Sequence, residues 1–494
     1  MNIRIKENSL FLNKNLLIII FGIIVQIIYL GFSYKFFSIG FPLDDSWIHQ
    51  TYARNLVEYG GWFFIPGILS AGSTSPLWTL LLIPGHLFQT DFFYYWTFFI
   101  SGIFFIGSSI VFQKLFEKLI GKSTKYPWAG FLFLFEWHLV WSASSGMETI
   151  LFIFILMSFL YLLLSKVNKN LWLLLWVLLG IVIFVRPDGL TLLGPYILIN
   201  VVNFSKKNNY SRKNFVFGLL VVSIFLIFYA LFNMRLSGEI LPNTFFAKQA
   251  EYQILYSKPL LSRYLDMFLV SLTGSGILLL PGFLYYFYHS IKKRNWEVLS
   301  VYFWFFGYLL IYAVRLPATY QHGRYVIPAI PVYLLLSLIG IYSFCKHSMP
   351  NRILIKFGYK VSILAILLIF FILGGKAYAE DVAIIQSEMV DTSMWINKNL
   401  PPDAVIAAHD IGAMGFFAGR QIIDLAGLIS PEVIPFIRNE DQLSKYLDEK
   451  HADYLVIFPG WYDKLDQSKK VIYRTNGTYS PKAGGENMTI FIWD

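Results

Sequence analysis

The fold class this sequence predicts is an all-α polytopic membrane protein of about eleven transmembrane helices, followed by a small extracytoplasmic α/β domain. Three observations predict it. Of 494 residues, 56% are hydrophobic and 19% aromatic, while only 14% are charged, against about 25% in soluble chains. Half of the 40 lysines and arginines fall in six short segments beside apolar runs, a pattern that sets topology. After residue 378 the chain turns polar and short β-like runs begin.

The spans are read at 14–34, 92–113, 126–142, 148–165, 171–185, 189–204, 214–235, 266–290, 297–314, 326–345 and 361–378. A span needs roughly 20 apolar residues, and several of these are short. No small-residue cleavage site follows residues 16–33, so the first run is read as a retained span. The basic segments are Arg4, Lys6 and Lys14; Lys114, Lys118, Lys122 and Lys125; Lys166 and Lys169; Lys206, Lys207, Arg212 and Lys213; Lys292, Lys293 and Arg294; and Lys346, Arg352, Lys356 and Lys360. Eleven spans put all six on one side, which is then cytoplasmic. The stretch SPLWTLLLIPGHLF, 75–88, would invert everything downstream if it crossed. It is short and contains Pro84, so it is read as a juxtamembrane or re-entrant helix in a first outer loop, 35–91.

Residues 1–378 are thus expected to form the transmembrane domain and 379–494 an extracytoplasmic α/β domain. The latter carries β-like runs at 404–409, 421–425, 453–458 and 488–493, with helix near 440–450. The only cysteine, Cys345, rules out an intramolecular disulfide framework. There is no HExxH, paired-histidine cluster or P-loop, so neither metal nor cofactor is expected. The net charge of +10 is spread over loops, which fits membrane lipids as partners and no nucleic acid.

The unusual polar residues all fall on the outer side: LDDSWIH (43–49), SSGMET (144–149), RPDG (186–189), LPNTFFAK (241–248), QHGRY (321–325) and AAHDIGA (407–413). Polar groups near hydrocarbon are costly unless satisfied, so ionisable ones there are functional candidates. Asp44 or Asp45 could simply cap the helix that follows. One cap needs only one carboxylate, and the second suggests a general base with a partner. His49 shares a helical face with Asp45. Glu148 suits a helix first turn or a hydroxyl-binding acid. Arg186 could pair with Asp188 or hold phosphate. Arg324, with His322 and Tyr325 beside it, and Lys248 fit a phosphorylated lipid headgroup; interfacial anchoring is their plainer role. His409 and Asp410 end a β-like run, a common place for site residues.

In their order and sidedness, LDD, STSPLWTLLL (73–82), SGMET (145–149), RPDG, LPNTFFAK, HGRY and HDIGAMGFF–DLAGL (409–417, 424–428) resemble the membrane glycosyltransferases of the C superfamily. The branch they most resemble includes the mycobacterial terminal arabinofuranosyltransferase. The resemblance covers about residues 15–430. It implies a GT-C fold in the cell (inner) membrane. It also implies a polyprenyl-phosphate sugar donor, a glycan, lipid or protein acceptor, and inverting transfer outside the cytoplasm. An acidic residue in the first outer loop is the family's catalytic base, a role that falls to Asp44 or Asp45. Arg324, Lys248 and Arg186 would then bind donor phosphate. Glu148, Asp188, His49, His322, Tyr325, His409 and Asp410 would bind sugar or acceptor. The rival is a transporter or flippase of lipid-linked sugars. It should show mid-span charges and two related halves, whereas the first ten spans carry few mid-span charges and no repeat is visible.

Overall fold

The computed structural model describes residues 13–88, 91–165, 171–204 and 209–493. The basic residues Arg4, Lys6, Lys166, Lys169, Lys206 and Lys207 lie outside them. Helix occupies each of the eleven expected segments, though not always as one straight rod. Among the described residues, six helices are long and apolar enough to cross a membrane, seven if one bent pair counts as a span, and Thr149–Leu163, Leu173–Val185 and Pro187–Val202 are apolar but shorter. The chain is a multi-pass membrane protein.

Two expected spans are broken, each for a local reason. The segment 126–142 divides into Trp128–Phe135 and Trp137–Ala143. Glu136 between them leaves the helix and its carboxylate accepts the Leu139 N–H at 3.0 Å, capping the second half. Its other oxygen meets His138 Nδ1 at 2.7 Å. The segment 266–290 divides into Leu260–Leu272 and Gly276–Lys292, bent by 108°. Gly274 supplies the left-handed φ of +69° at the corner.

Ile330–His347 is the most enclosed of the long helices. It crosses Gly276–Lys292 where Gly340 meets the Gly282 backbone so closely that no Cβ would fit. Small residues of this kind let helices approach in a membrane. At one end of the bundle, Lys14 pairs with Glu117 at 2.6 Å and Lys118 donates to Ser165, so basic segments far apart in sequence share that end. The first loop lies at the other end. It holds the helix Asp44–Tyr59, a small antiparallel hairpin of β1 (Phe63–Ile65) and β2 (Ile68–Leu69), and the short helix Pro76–Leu82. The stretch 75–88 is therefore two short helical turns and no span-length helix.

The last long helix, Ile353–Ile384, runs through residue 378 and continues by a π-turn, Ile385–Val390, into Asp391–Asn399. The sheet beyond it comprises β3 (Val405–Ala408), β4 (Gln421–Asp424), β5 (Tyr454–Ile457), β6 (Val471–Arg474) and β7 (Thr489–Ile492). Their order is β4-β3-β5-β7-β6, with β3 parallel to β4 and β5, and β7 antiparallel to β5 and β6. The β-like runs of the sequence supply β3, β4, β5 and β7. β6 was not expected: it is the outermost strand next to β7 and is mostly solvated. The helix Glu440–Glu449 turns Leu443, Tyr446 and Leu447 inward at i, i+3 and i+4 spacing.

This C-terminal unit is packed onto the first loop. Trp47 packs against the rings of Phe416 and Phe417, at 5.0 and 4.7 Å. Arg54 donates to the Gly415 and Phe416 carbonyls, at 3.1 and 2.5 Å. From the π-turn, the buried Glu388 carboxylate accepts from Asn487 Nδ2 at 3.0 Å, from the Met488 N–H at 2.9 Å and from Thr475 Oγ1. Glu388→Ala strands these donors in the interior and is expected to destabilise the C-terminal unit by about 3 kcal/mol. A lowered thermal midpoint and early proteolysis beyond residue 400 would show it.

Candidate active site

The Asp44–Tyr59 helix begins at the two aspartates, yet neither carboxylate caps it. Successive residues on a helix point about 100° apart, and the two side chains part company. Asp44 turns to the C-terminal unit. It accepts the N–H of Gly412 at 2.6 Å and of Ala413 at 2.8 Å, and a Cβ on Gly412 would collide with the Asp44 backbone. Burial pushes the Asp44 carboxyl up to about 6, against the pull of those two N–H groups.

Asp45 turns into a cavity. Arg324 Nη1 lies 2.5 Å from Oδ2, and Lys248 Nζ lies 3.2 Å from Oδ1. Burial opposes ionisation of Asp45, but these two cations outweigh it and hold its carboxyl well below the usual range. Tyr325 completes the cluster, its hydroxyl accepting from Arg324 Nη2 at 2.9 Å and Lys248 Nζ at 3.3 Å. Arg324 Nε has no hydrogen-bond partner among the described residues.

A second charged cluster faces the first across the cavity. Arg186 Nε lies 3.1 Å from Asp188 Oδ1 and 3.9 Å from Glu148 Oε1. Asp188 Oδ2 also accepts from the hydroxyls of Tyr308 at 2.7 Å and Tyr312 at 2.6 Å. Glu148 Oε2 lies 3.5 Å from His49 Nε2, whose Nδ1 contacts Ser73 Oγ at 3.0 Å.

The cavity between them holds about 590 Å³. Eight of the sequence candidates line it: Asp45, His49, Glu148, Arg186, Asp188, Lys248, Arg324 and Tyr325. Four do not. Asp44 clips the C-terminal unit. His322 Nε2 lies 2.8 Å from Asp381 Oδ2. His409 Nδ1 contacts Tyr462 Oη at 2.8 Å, and its Nε2 lies 3.6 Å from Glu251 Oε1. Burial opposes protonation of His409, but Tyr462 and Glu251 raise its pKa well above the ordinary value. Beside it, burial pushes the Asp410 carboxyl up to about 8.

The turn before Arg324 is strained. Gln321, His322 and Gly323 have φ of 50°, 60° and 69°, and the left-handed region costs about 1–2 kcal/mol for each non-glycine residue.

Sequence reasoning missed Arg315, Tyr312, Trp141 and Gln249, which also line the cavity, and Asp381. Arg315 follows directly on an expected span, and Tyr312 inside it reads as a lipid-facing aromatic. Among the described residues, no group of three or more His, Cys, Asp or Glu is placed to hold a metal ion.

Helical bundle, long first loop and appended α/β unit together make a fold shared with solved structures of ArnT and AglB. The chain superposes on apo ArnT from Cupriavidus metallidurans with TM-score 0.61 and 11% identity, covering 97% of this chain and 98% of that one. ArnT bound to undecaprenyl phosphate gives 0.60 at 11% identity over the same shares. The archaeal oligosaccharyltransferase AglB from Archaeoglobus fulgidus, in complex with an inhibitory peptide and a dolichol-phosphate, gives 0.56 at 11% identity, covering 90% of this chain and 69% of that one. Residues 379–491 match the family model "Domain of unknown function (DUF8728)". No curated protein matches the sequence.

Asp45 sets an acid limit. Its folded pKa is depressed, so the stability it contributes is complete above the ordinary aspartate value and is lost as pH falls below it. The thermal midpoint of wild type minus that of Asp45→Asn should stay constant from about pH 8 to about pH 5 and shrink below about pH 4.

Proposed function

We propose that this protein is an inverting glycosyltransferase that moves a sugar from a polyprenyl-phosphate donor to a glycan, lipid or protein acceptor. One observation carries the reading: a carboxylate held by two cations in a cavity with an excess of positive charge. Asp45, Glu148 and Asp188 line it against Arg186, Lys248, Arg315 and Arg324, so the cations exceed the carboxylates by one. A phosphodiester donor carries one negative charge. Beside the cavity, sharing Leu190, Thr191 and Ile311 with it, lies an apolar groove of about 420 Å³ walled by Leu198, Phe303, Trp304 and Gly307. Phosphate fits the first space and a polyprenyl chain the second. The bound lipid phosphates of the ArnT and AglB structures support the same donor class.

In this reading Asp45 takes the proton of the acceptor hydroxyl. The freed oxygen forms a bond to the anomeric carbon from the face opposite the phosphate. The carbon–oxygen bond to phosphate breaks, and its electron pair leaves with the lipid phosphate. Attack from the opposite face inverts the anomeric centre. The charge growing on the leaving phosphate is met by Arg324 and Lys248, and such preorganised stabilisation is commonly the largest catalytic contribution. In the empty cavity these cations make Asp45 a weak base. An arriving phosphate shares them, and Asp45 becomes more basic as the donor seats. Arg186 belongs to the opposite cluster, where Asp188 and Glu148 already engage it; with those two acids and His49 it presents hydrogen-bonding groups to the sugar or the acceptor. Asp44, His409 and Asp410 join the C-terminal unit to the wall of the site and bear on acceptor access. The motif resemblance to the arabinofuranosyltransferase branch keeps pentoses among the donor sugars, beside hexoses. The site lies at the end of the bundle opposite Lys14 and Glu117, which supports a multi-pass protein of the cell (inner) membrane with its site and C-terminal domain extracytoplasmic.

The test is transfer from a panel of radiolabelled polyprenyl-phosphate sugars. Asp45→Asn is expected to lower transfer by about a hundredfold or more. Asp44→Asn should reduce it far less and chiefly loosen the C-terminal unit. Equal losses in both variants would argue against Asp45 as the base. A separate check concerns the groove. Gly307 has open space where its Cβ would sit, so Gly307→Phe should fold. It should raise KM for an undecaprenyl donor about tenfold while leaving a two-isoprene donor unaffected.

A further inference from the structure

The geometry points to His322 and Asp381 as a positioning pair that holds the strained turn aiming Arg324 at Asp45. The inference rests on the reading of Arg324 as a ligand of donor phosphate. Three consecutive left-handed residues, Gln321, His322 and Gly323, lead directly into Arg324. Two of them are not glycine, and strain of this kind persists only where surroundings impose it. The surroundings are specific. His322 Nε2 lies 2.8 Å from Asp381 Oδ2, on the far end of the helix Ile353–Ile384. The same oxygen accepts from Trp141 Nε1 at 2.8 Å. Trp137 and Trp141 stand edge-on to the imidazole at 5.2 and 5.5 Å. Two segments distant in sequence thus fix one imidazole.

The turn itself is short. The Gly323 N–H donates to the Thr319 carbonyl at 3.0 Å and the Arg324 N–H to the Gln321 carbonyl at 3.3 Å. Gly323 leaves no room for a Cβ against Val270. A backbone held this way has little freedom to re-aim the next side chain. Released from Asp381, His322 would let the turn relax towards ordinary φ values, and the guanidinium would swing off the line between Asp45 and the cavity. Trp141 lines the cavity as well, so the clamp also fixes part of the cavity wall. Neither His322 nor Asp381 reaches the reacting atoms; both act through Arg324.

Full-length protein in lipid nanodiscs would be titrated calorimetrically with farnesyl phosphate. His322→Ala and Asp381→Ala should each weaken binding by about tenfold, and the double variant no more than either alone. In an Arg324→Ala background neither substitution should matter further, an outcome that a general loss of stability would not produce. His322→Gln should restore much of the affinity, because its amide nitrogen reaches about where the imidazole Nε2 stands and can donate to Asp381; it also serves if the alanine variants do not fold. Wild-type affinity in His322→Ala and Asp381→Ala, or an undiminished loss in the Arg324→Ala background, overturns the clamp alone. Wild-type protein that fails to bind farnesyl phosphate overturns the donor reading, and the clamp with it.

Discussion

The rest of the site depends on one buried charge cluster, Asp45 between Arg324 and Lys248. Each charge comes from a different part of the chain: the first loop, the segment after Asn209–Ser237, and the turn ahead of Ile330–His347. Removing charges from water costs several kcal/mol per ion, and only close partners offset it. The cluster therefore fixes where three segments meet as firmly as any apolar contact. It is also unbalanced. One carboxylate cannot neutralise two cations, and the cluster keeps a net positive charge.

The neighbouring aspartate shows why two carboxylates stand together. A turn of about 100° per residue sends Asp45 into the cavity and Asp44 to the Gly412 and Ala413 N–H groups. One helix start thus carries the cavity acid and the clip for the C-terminal unit. Arg54, two turns further along the same helix, binds that unit again through the Gly415 and Phe416 carbonyls. Displacement of the C-terminal unit would be felt at Asp45 through a single rigid helix.

Much of this was legible because charge is conspicuous in an apolar chain. Lys248, Arg186 and Arg324 stand apart from the six basic segments, and eight of the twelve candidates converge on one cavity. The choice between Asp44 and Asp45 was not legible, since it turns on two backbone N–H groups more than 360 residues away. Asp381 was passed over because the last span was ended at 378, whereas the helix continues to Ile384. The breaks at Glu136 and Gly274 escaped a reading based on apolar length, because a cap and a left-handed glycine act within one or two residues. Strand β6 escaped because an edge strand with little burial carries a weak alternating pattern.

The short helices explain how the second charged cluster can lie deep without penalty. Thr149–Leu163 and Leu173–Val185 are shorter than the long apolar helices, and they stop at Glu148 and Arg186. A helix ending below the surface leaves polar backbone groups at membrane depth, tolerated only where protein or a water-filled space satisfies them. Here the space is the cavity, where Arg186 donates to Asp188 and Glu148 stands 3.9 Å from the same guanidinium. Sinking the clusters in this way lowers the local dielectric and strengthens every charge interaction within the cavity. The same depth brings the charged space level with the apolar groove along Trp296–Arg315. The proposed donor, an anionic head on a long apolar chain, would occupy both.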